Sequence, residues 1–554
     1  MSHPHDLDDL VQLSLADGGP STPVDAAAID AIDKPSLVAS FNMASYILQF
    51  TRVHGPNCSA MDCRSGEVVA HDRLVYSVGA IADGLKHRGF GVSDVMLMLA
   101  TKSSLRSFLV VLAVWTLGGS VTLVGSPLIP RSSIMATWAC IDDNGQIPAS
   151  TALPRLHTFS LDKDVAGDLS YAELSSLPSF NPIKQAHLTH PSQLALTIHG
   201  SDMATLEPRV SSYAHDDLLV AMESAVASSM NFHGETILSL LPLHSPEALT
   251  FVWFPCLYFG SSLHLLEAPP TTATDLAKAL RAAKPSVLVT TTTRLPDVCK
   301  VHDALACLNQ VVCIGASVPS LPRTLRALAT LSSKWKPEMK FRRGFGSTTT
   351  AGVATLSDAL SFPIPPTHVR AMGSALASVL VSVRSLTTGE ALGPKQVGEL
   401  CLSSKIAPGS DGGGSRGDCT LLTHAMVYTD ASGQVHGIGS KDGIVNLGTE
   451  STTTLELEEV LASHPLVDDA AVLIEKTDPA APPQLVGFVQ LASTAQTYLE
   501  DALRSVAIFA TKQIPPSKHI HGLVAVREIP RSADGQPFRR QVAEESNRLS
   551  EIVT

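Results

Sequence analysis

Thr197-Ile198-His199-Gly200-Ser201-Asp202-Met203-Ala204-Thr205-Leu206-Glu207-Pro208-Arg209 is the stretch from which the fold is read outward. It leaves a short apolar run, Leu194–Ile198, of the kind buried parallel strands show. It then enters a loop of small and polar residues. The texture around it repeats. Leu74–Arg88 sets Val75, Val78, Ile81, Ala82 and Leu85 at helical spacing, and Ser104–Leu117 predicts a second, more apolar helix. Val95–Leu99, Val121–Val124, Thr236–Leu241, Ser261–Leu266, Ser286–Thr290 and Val311–Ile314 are short strand-like runs, with a helical Leu276–Ala283 among them. This alternation predicts an α/β fold with substantially parallel sheets.

From about Gly373 the texture changes. Val379–Ser385, Val397–Ser403, Ala425–Tyr428 and Gln434–Ile438 predict short strands separated by Gly, Asp and Ser turns, a small β-rich subdomain over 373–438. Ser404–Thr420, with Gly412-Gly413-Gly414, reads as a flexible loop. Thr453–Ala462 and Ala495–Lys512 then predict helices. Ala470–Ile474, Gln484–Leu491 and Leu523–Val526 predict strands, the last of them the final strand of the chain. A boundary near Gly439 divides a large N-terminal region, 36–438, from an α+β C-terminal unit, 439–554, close to usual domain size. Residues 1–35 read as an acidic, disordered tail with one short helix, Asp6–Leu15.

Composition bounds the function. A chain of 554 residues holds about three to five ordinary domains. With 44% hydrophobic and 17% charged residues it is not a disordered chain. Its net charge of −12 gives no electrostatic case for nucleic acid. The most apolar stretch, Phe108–Trp115, is far shorter than the ~20 residues of a membrane span. Nine scattered cysteines without a CxxC predict free thiols and no metal site. The paired histidines (His3/His5, His187/His190, His519/His521) lack a ligand pattern. With no secretory signal and no C-terminal peroxisomal address, a cytoplasmic location is expected.

Several stretches, taken in order, resemble motifs of the adenylate-forming superfamily (acyl- and aryl-CoA ligases, peptide-synthetase adenylation domains, beetle luciferase). The opening stretch resembles the family's S-S-G-T-T-G-x-P-K-G loop, with Pro208 and His215 at the family spacing and Arg209 in place of its Lys. Leu240-Leu241-Pro242-Leu243-His244 resembles L-P-L-x-H, one residue shorter. Gly315-Ala316-Ser317-Val318 resembles G-A-x-P/V, and Gly344-Phe345-Gly346-Ser347-Thr348-Thr349 resembles G-Y-G-x-T-E. Thr387-Thr388-Gly389-Glu390, Val397-Gly398-Glu399-Leu400 and Ile529-Pro530-Arg531-Ser532-Ala533-Asp534-Gly535-Gln536 resemble T-G-E, V-G-E-L and I-P-x-T-x-S-G-K. The resemblance implies stacked mixed sheets with helices, a small β-rich subdomain, and a mobile C-terminal lid that active relatives rotate between adenylation and thiol transfer.

The family's chemistry, attack of a carboxylate on the α-phosphate of ATP, implies a set of groups that this chain alters. The loop glycines correspond to Met203 and Leu206, while Asp202 and Glu207 add negative charge where a triphosphate would lie. One such charge pair at ~5 Å repels by about 3 kcal/mol at an effective dielectric of about 20. The magnesium-binding Glu corresponds to Thr349, beside the retained Thr348, and a neutral hydroxyl is a poor ligand for a hard dication. The ribose-binding Asp corresponds to Ala425 in a register set by Asp430-Ala431-Ser432-Gly433; a second register would put Asp430 there. The hinge Arg corresponds to Ser440, and Gln536 stands for the catalytic Lys, whose loss typically costs ~10²–10³ in rate.

The expectation is therefore a small acyl-like or aromatic ligand, no cofactor, and no efficient ATP-dependent ligation. Three readings stay open: a pseudo-ligase that binds without ATP; a repurposed enzyme using the acyl pocket for an ATP-independent cyclisation, isomerisation or condensation; and an atypical CoA ligase using ATP, magnesium and CoA. His244 is the candidate acid/base of the pocket, with a hydrogen-bonded structural role as its alternative.

Overall fold

The apolar runs read as buried strands lie in the middle of two large sheets. The computed structural model describes residues 40–54, 58–99, 105–124, 136–141, 157–161, 169–175, 181–201, 208–228, 230–243, 245–266, 273–301, 304–315, 321–334, 338–347, 351–362, 364, 366–404, 419–447, 451–475, 484–531, 537, 539–544 and 547–553. The acidic tail with its Asp6–Leu15 helix and the Gly412-Gly413-Gly414 loop lie outside the described residues.

The first sheet has seven strands in the spatial order Leu169–Ser170, His157–Ser160, Trp138–Ile141, Val95–Leu99, Ser120–Val124, Leu194–Ser201, Pro208–Ala214. All its pairs are parallel except the last, where Leu194–Ser201 and Pro208–Ala214 form a hairpin. The second sheet has fourteen strands. Its parallel half runs from Ser59–Asp62 through Ser262–Leu265, Thr236–Ser239, Val287–Thr290 and Gln310–Ile314 to Lys340–Ser347. From there it becomes antiparallel through Gly352–Leu356, Ala371–Ala375, Val435–Ser440, Cys419–Thr429 and Gly398–Ser404 to the edge strand Val379–Arg384. The β-rich subdomain thus continues the parallel sheet by hydrogen bonding. Phe345 and Ala354 of the central strands share an apolar cluster with Val379, Leu400, Val427 and Val435.

The main core lies between the two sheets. It joins Val121, Leu196 and Ile198 of the first to Ile237, Val289 and Val312 of the second, around the helix Leu105–Thr116. Every residue of that helix but Arg106 is buried, as expected for a helix apolar on all sides. Trp115 satisfies its indole N–H on Ala195 O at 2.8 Å. The core helix is one-half to two-thirds of a membrane span, and among the described residues no helix is long and apolar enough to cross a membrane.

Beyond residue 440 the apolar clusters start afresh. One joins Val445, Leu457, Leu461, Val472, Val489, Leu503 and Leu523, and none among the described residues contains members from both sides of 440. Helix Thr454–Ser463, whose first turn is capped by Thr453 accepting from Glu456 N, packs on the four-stranded sheet Val467–Glu475, Gln484–Leu491, Gly522–Val526, Arg548–Val553. Here the sequence reading needs three corrections. The final strand is Arg548–Val553, antiparallel to Gly522–Val526. The segment read as one helix from Ala495 opens as a 3₁₀ turn, Ser493–Tyr498, before the α-helix Leu499–Gln513. The strand expected at Ala425–Tyr428 extends over Cys419–Thr429.

Candidate functional site

The site is built where the parallel half of the large sheet ends. In open α/β sheets ligands bind beyond the carboxyl ends of parallel strands. Gly315 and Gly344 sit there side by side, Gly315 N donating to Gly344 O at 3.3 Å. Ala316, Thr348 and Thr349 lie outside the described residues, as do His244, Gln536 and the loop residues Asp202–Glu207.

The opening stretch turns out to be a hairpin end. Its first strand runs three residues further than the apolar pattern indicated, so His199, Gly200 and Ser201 are strand residues. Ser201 faces Pro208 and Gly200 faces Arg209 in the ladder. His215 does not face a ligand. It opens the helix His215–Val226, fully buried, with Nδ1 accepting from Met43 N at 3.4 Å and its ring edge-on to Phe41 and Trp115. Burial lowers its pKa from 6.5 to about 4, and a helix N-terminus disfavours the charged ring in the same direction.

Along Lys340–Ser347 alternate residues face opposite ways. Phe345 is buried in the apolar cluster with Met372, Val383 and Leu400, so its ring serves the core. Gly346 is held to glycine by its surroundings: a Cβ there would lie 2.8 Å from Glu247 Cγ and 2.9 Å from both Glu247 Oε1 and Gly352 O. Ser347 ends the strand, opposite Gly352.

Glu247 and Thr250 are site residues that sequence reasoning missed. Glu247 is buried, and its carboxylate accepts a short hydrogen bond from Ser245. It precedes a π-helical turn, Ala248–Trp253, that leads into the helix Phe254–Phe259. Such turns are rare and concentrate at functional sites. Thr250 Oγ1 lies 2.9 Å from both Pro246 O and Ala351 O, pinning the start of the strand Gly352–Leu356. Ala351 is buried there with φ of 56°, a left-handed conformation an alanine adopts only when its surroundings enforce it. The one signal available in sequence was the missing residue of the L-P-L-x-H motif, which marks an altered path just before Glu247.

The antiparallel half carries two more of the motif positions. Ala425 and Ser440, far apart in sequence, face each other across the hairpin formed by Cys419–Thr429 and Val435–Ser440. Asp430 lies at the opposite end of that hairpin. It accepts from Ser432 Oγ, Ser432 N and Gln434 N, and pairs with His436 Nε2 at 3.0 Å. Those bonds, the Ser432 hydroxyl foremost, hold its carboxyl well below the usual carboxylate range. Asp430 is therefore a turn-stabilising residue.

Beside Ala425 a polar network closes on itself. The nearly buried Glu399 carboxylate accepts from His424 N at 3.1 Å and from Lys441 Nζ at 2.8 Å. The His424 ring lies 3.5 Å from Asp442, and His424 itself has φ of 59°. Neither Ala425 nor Ser440 carries a carboxylate or a guanidinium. Among the described residues no group of three or more His, Cys, Asp or Glu can hold a metal ion.

With this geometry in place the comparisons with known proteins are informative. The AMP-binding enzyme family model matches residues 211–409, and that of the AMP-binding enzyme C-terminal domain matches 456–536. The chain belongs to the adenylate-forming superfamily. It is 23% identical over 522 residues to the peroxisomal OPC-8:0-CoA ligase 1 of Arabidopsis thaliana, covering 89% of this chain and 91% of that one. It is 22% identical over 507 residues to the 4-coumarate–CoA ligase CCL1 of Humulus lupulus, covering 86% and 88%. Among solved structures, the anthranilate CoA ligase AuaEII in complex with anthranoyl-AMP superposes with a TM-score of 0.77 at 17% identity, over 92% of this chain and 98% of that one. A benzoate CoA ligase from Burkholderia xenovorans LB400 gives 0.75 at 16%, over 91% and 100%.

Proposed function

We propose that the chain is a pseudo-ligase of the cytosol: it binds an acyl-like or aromatic small molecule at the ends of the parallel strands and does not activate it with ATP. The observation that carries this reading is the cross-strand pair of Ala425 and Ser440. Two small neutral side chains stand where relatives carry a carboxylate and a guanidinium, and the nearest alternative carboxylate in sequence, Asp430, is committed to its own turn. Thr349 and Gln536 point the same way, since neither brings charge to a reaction that develops it. The alignment with aryl- and acyl-CoA ligases supports an acyl or aromatic ligand class.

A thermal-shift series tests it on the full chain, with ATP and magnesium, AMP, CoA, acyl-adenylate analogues, and a panel of aryl and acyl carboxylates. A ligand at 100 times its Kd stabilises the fold by about 2.7 kcal/mol. The expected result is stabilisation by carboxylates or their analogues and none by ATP with magnesium below millimolar. Carboxylate-dependent pyrophosphate release by the wild-type chain refutes the reading and restores the atypical ligase. Turnover of a bound metabolite without ATP refutes it in favour of the repurposed enzyme.

A further inference from the structure

Among the described residues no apolar cluster has members on both sides of residue 440, and the side-chain hydrogen bonds and ion pairs across it are polar links between the C-terminal unit and the rest. An interface of that kind ordinarily leaves two domains free to move. Among the described residues, three of the polar contacts across residue 440 are charge-assisted hydrogen bonds or ion pairs made by Arg326, Arg370 and Lys441, beside the approach of His424 to Asp442 at 3.5 Å.

The first lies between two helices. Arg326, on Leu321–Lys334, donates from Nη1 to Val467 O at 2.9 Å and from Nη2 to Ala462 O at 2.8 Å. Ala462 is in the last turn of helix Thr454–Ser463, and Val467 begins the next strand. One guanidinium therefore takes a last-turn helix carbonyl, that of Ala462, at the negative end of the helix dipole, and the first carbonyl of the strand that follows.

The second lies on the same helix. The Arg370 guanidinium forms a short ion pair with Glu459, with only 26% and 14% of the two side chains exposed. Arg370 is itself held by the N-terminal body: its carbonyl accepts from Gly437 N at 3.0 Å and from the buried Arg343 Nη1 at 3.2 Å. The third is the hinge. Lys441, immediately after the hairpin strand Val435–Ser440, reaches back to Glu399, whose side chain is 4% exposed.

We propose that Arg326, Arg370 and Glu399 form a clasp that fixes the C-terminal unit in one pose without any ligand. Arg326 and Arg370 hold helix Thr454–Ser463 and the start of the strand after it, while Glu399 holds Lys441 at the hinge. Ion pairs this shielded lose less to salt than exposed ones. The clasp stands on contacts within the chain and does not depend on which ligand the site takes, so its failure is distinguishable from failure of the pseudo-ligase reading.

Small-angle scattering and limited proteolysis of the full chain test it, without nucleotide and with ATP and magnesium. The wild type is expected to give one scattering profile under both conditions and slow cleavage in 439–453. Arg326→Ala/Arg370→Ala is expected to raise the radius of gyration by a few Å and to speed that cleavage about tenfold or more. Glu459→Gln, which keeps the side-chain shape, is expected to give a smaller change in the same direction with near-ultraviolet dichroism unchanged. If wild type, double variant and Glu459→Gln coincide in scattering and cleavage, the clasp is refuted. It is equally refuted if the wild type closes on adding ATP.

Discussion

Two fully buried histidines make the N-terminal region acid-sensitive in a way that can be calculated. His71 opens the helix His71–His87, its ring wholly enclosed and neither ring nitrogen bonded. Burial lowers its pKa from 6.5 to about 4, with the neighbouring His54 adding to the effect. His215 is lowered to about 4 by burial alone. Both folded-state values lie below the unfolded one, so the contribution is complete above about pH 6.5 and is lost as pH falls towards about 4. Each gap corresponds to about 3 kcal/mol at about 1.36 kcal/mol per pKa unit. Midway, near pH 5, unfolding takes up almost one proton per histidine, a slope of about 1.4 kcal/mol per pH unit each. Two such terms compare with a total stability of about 5–15 kcal/mol. Urea unfolding at pH 7.5, 6, 5 and 4.5 measures the slope for wild type, His71→Leu and His215→Gln. Each variant is expected to lower the slope by about 1.4 kcal/mol per pH unit. His264 and His464, also lowered by burial, add to the wild-type slope but cancel in the difference. Variant and wild-type slopes that coincide would refute the reasoning, because the rings would then be charging without cost in the fold.

Three further outcomes follow from the packing. Ala351→Gly is expected to stabilise the chain by about 1 kcal/mol in thermal unfolding, because φ of 56° is strained for alanine and free for glycine. Gly346→Ala is expected to cost about 1–3 kcal/mol through its clash with Glu247, and adding Glu247→Ala is expected to recover part of that, read as coupling in a double-mutant cycle. Arg531 grips Asp469 through Nε and Nη2 at 2.9 and 2.8 Å with both side chains largely buried, so Arg531→Ala is expected to lower the stability of the C-terminal unit by about 3–5 kcal/mol, seen in calorimetry as an earlier transition.

What the sequence made legible follows from the range of the forces involved. Val95–Leu99 and Gln310–Ile314 were readable because a strand buried on both faces must be apolar throughout, a local property. Arg548–Val553 was not, because its pairing with Gly522–Val526 is set by the sheet, and its own pattern mixes Arg548, Ser550 and Glu551 with apolar residues. Motif order singled out Ala425 and Ser440 separately but not their facing; the register shift between Met426 and Val427 on the way to it has no local signature. Glu247 was missed for a related reason. A carboxylate in an otherwise apolar stretch reads as surface, and only the fold brings Gly346 over it.

The motif residues divide according to whether the fold needs them. Gly346 cannot carry a side chain beside Glu247, and a Cβ at Gly398 would lie 2.3 Å from Arg384 O. Packing holds both to glycine whatever the site binds, so their match to the family is no argument for a bound nucleotide. Position 425 is the opposite case. Ala425 is buried in the cluster of Phe345, Leu400 and Val427. An aspartate at that depth costs several kcal/mol unless a ligand or a cation completes its hydrogen bonds. A chain that binds ATP recovers that cost through the ribose; a chain that does not is stabilised by losing the carboxylate. Under the pseudo-ligase proposal, alanine at 425 with Ser440 opposite is the pair that burial favours. The same logic gives the reverse experiment: Ala425→Asp in the ligand-free chain should destabilise the β-rich half. If ATP with magnesium recovers that loss in the variant while leaving the wild type unshifted, the ancestral pocket is still open and only its ribose anchor has gone. If ATP recovers nothing even with Gln536→Lys added, restoring the aspartate and the lysine is not enough for nucleotide binding, as the added charge of Asp202 and Glu207 implies.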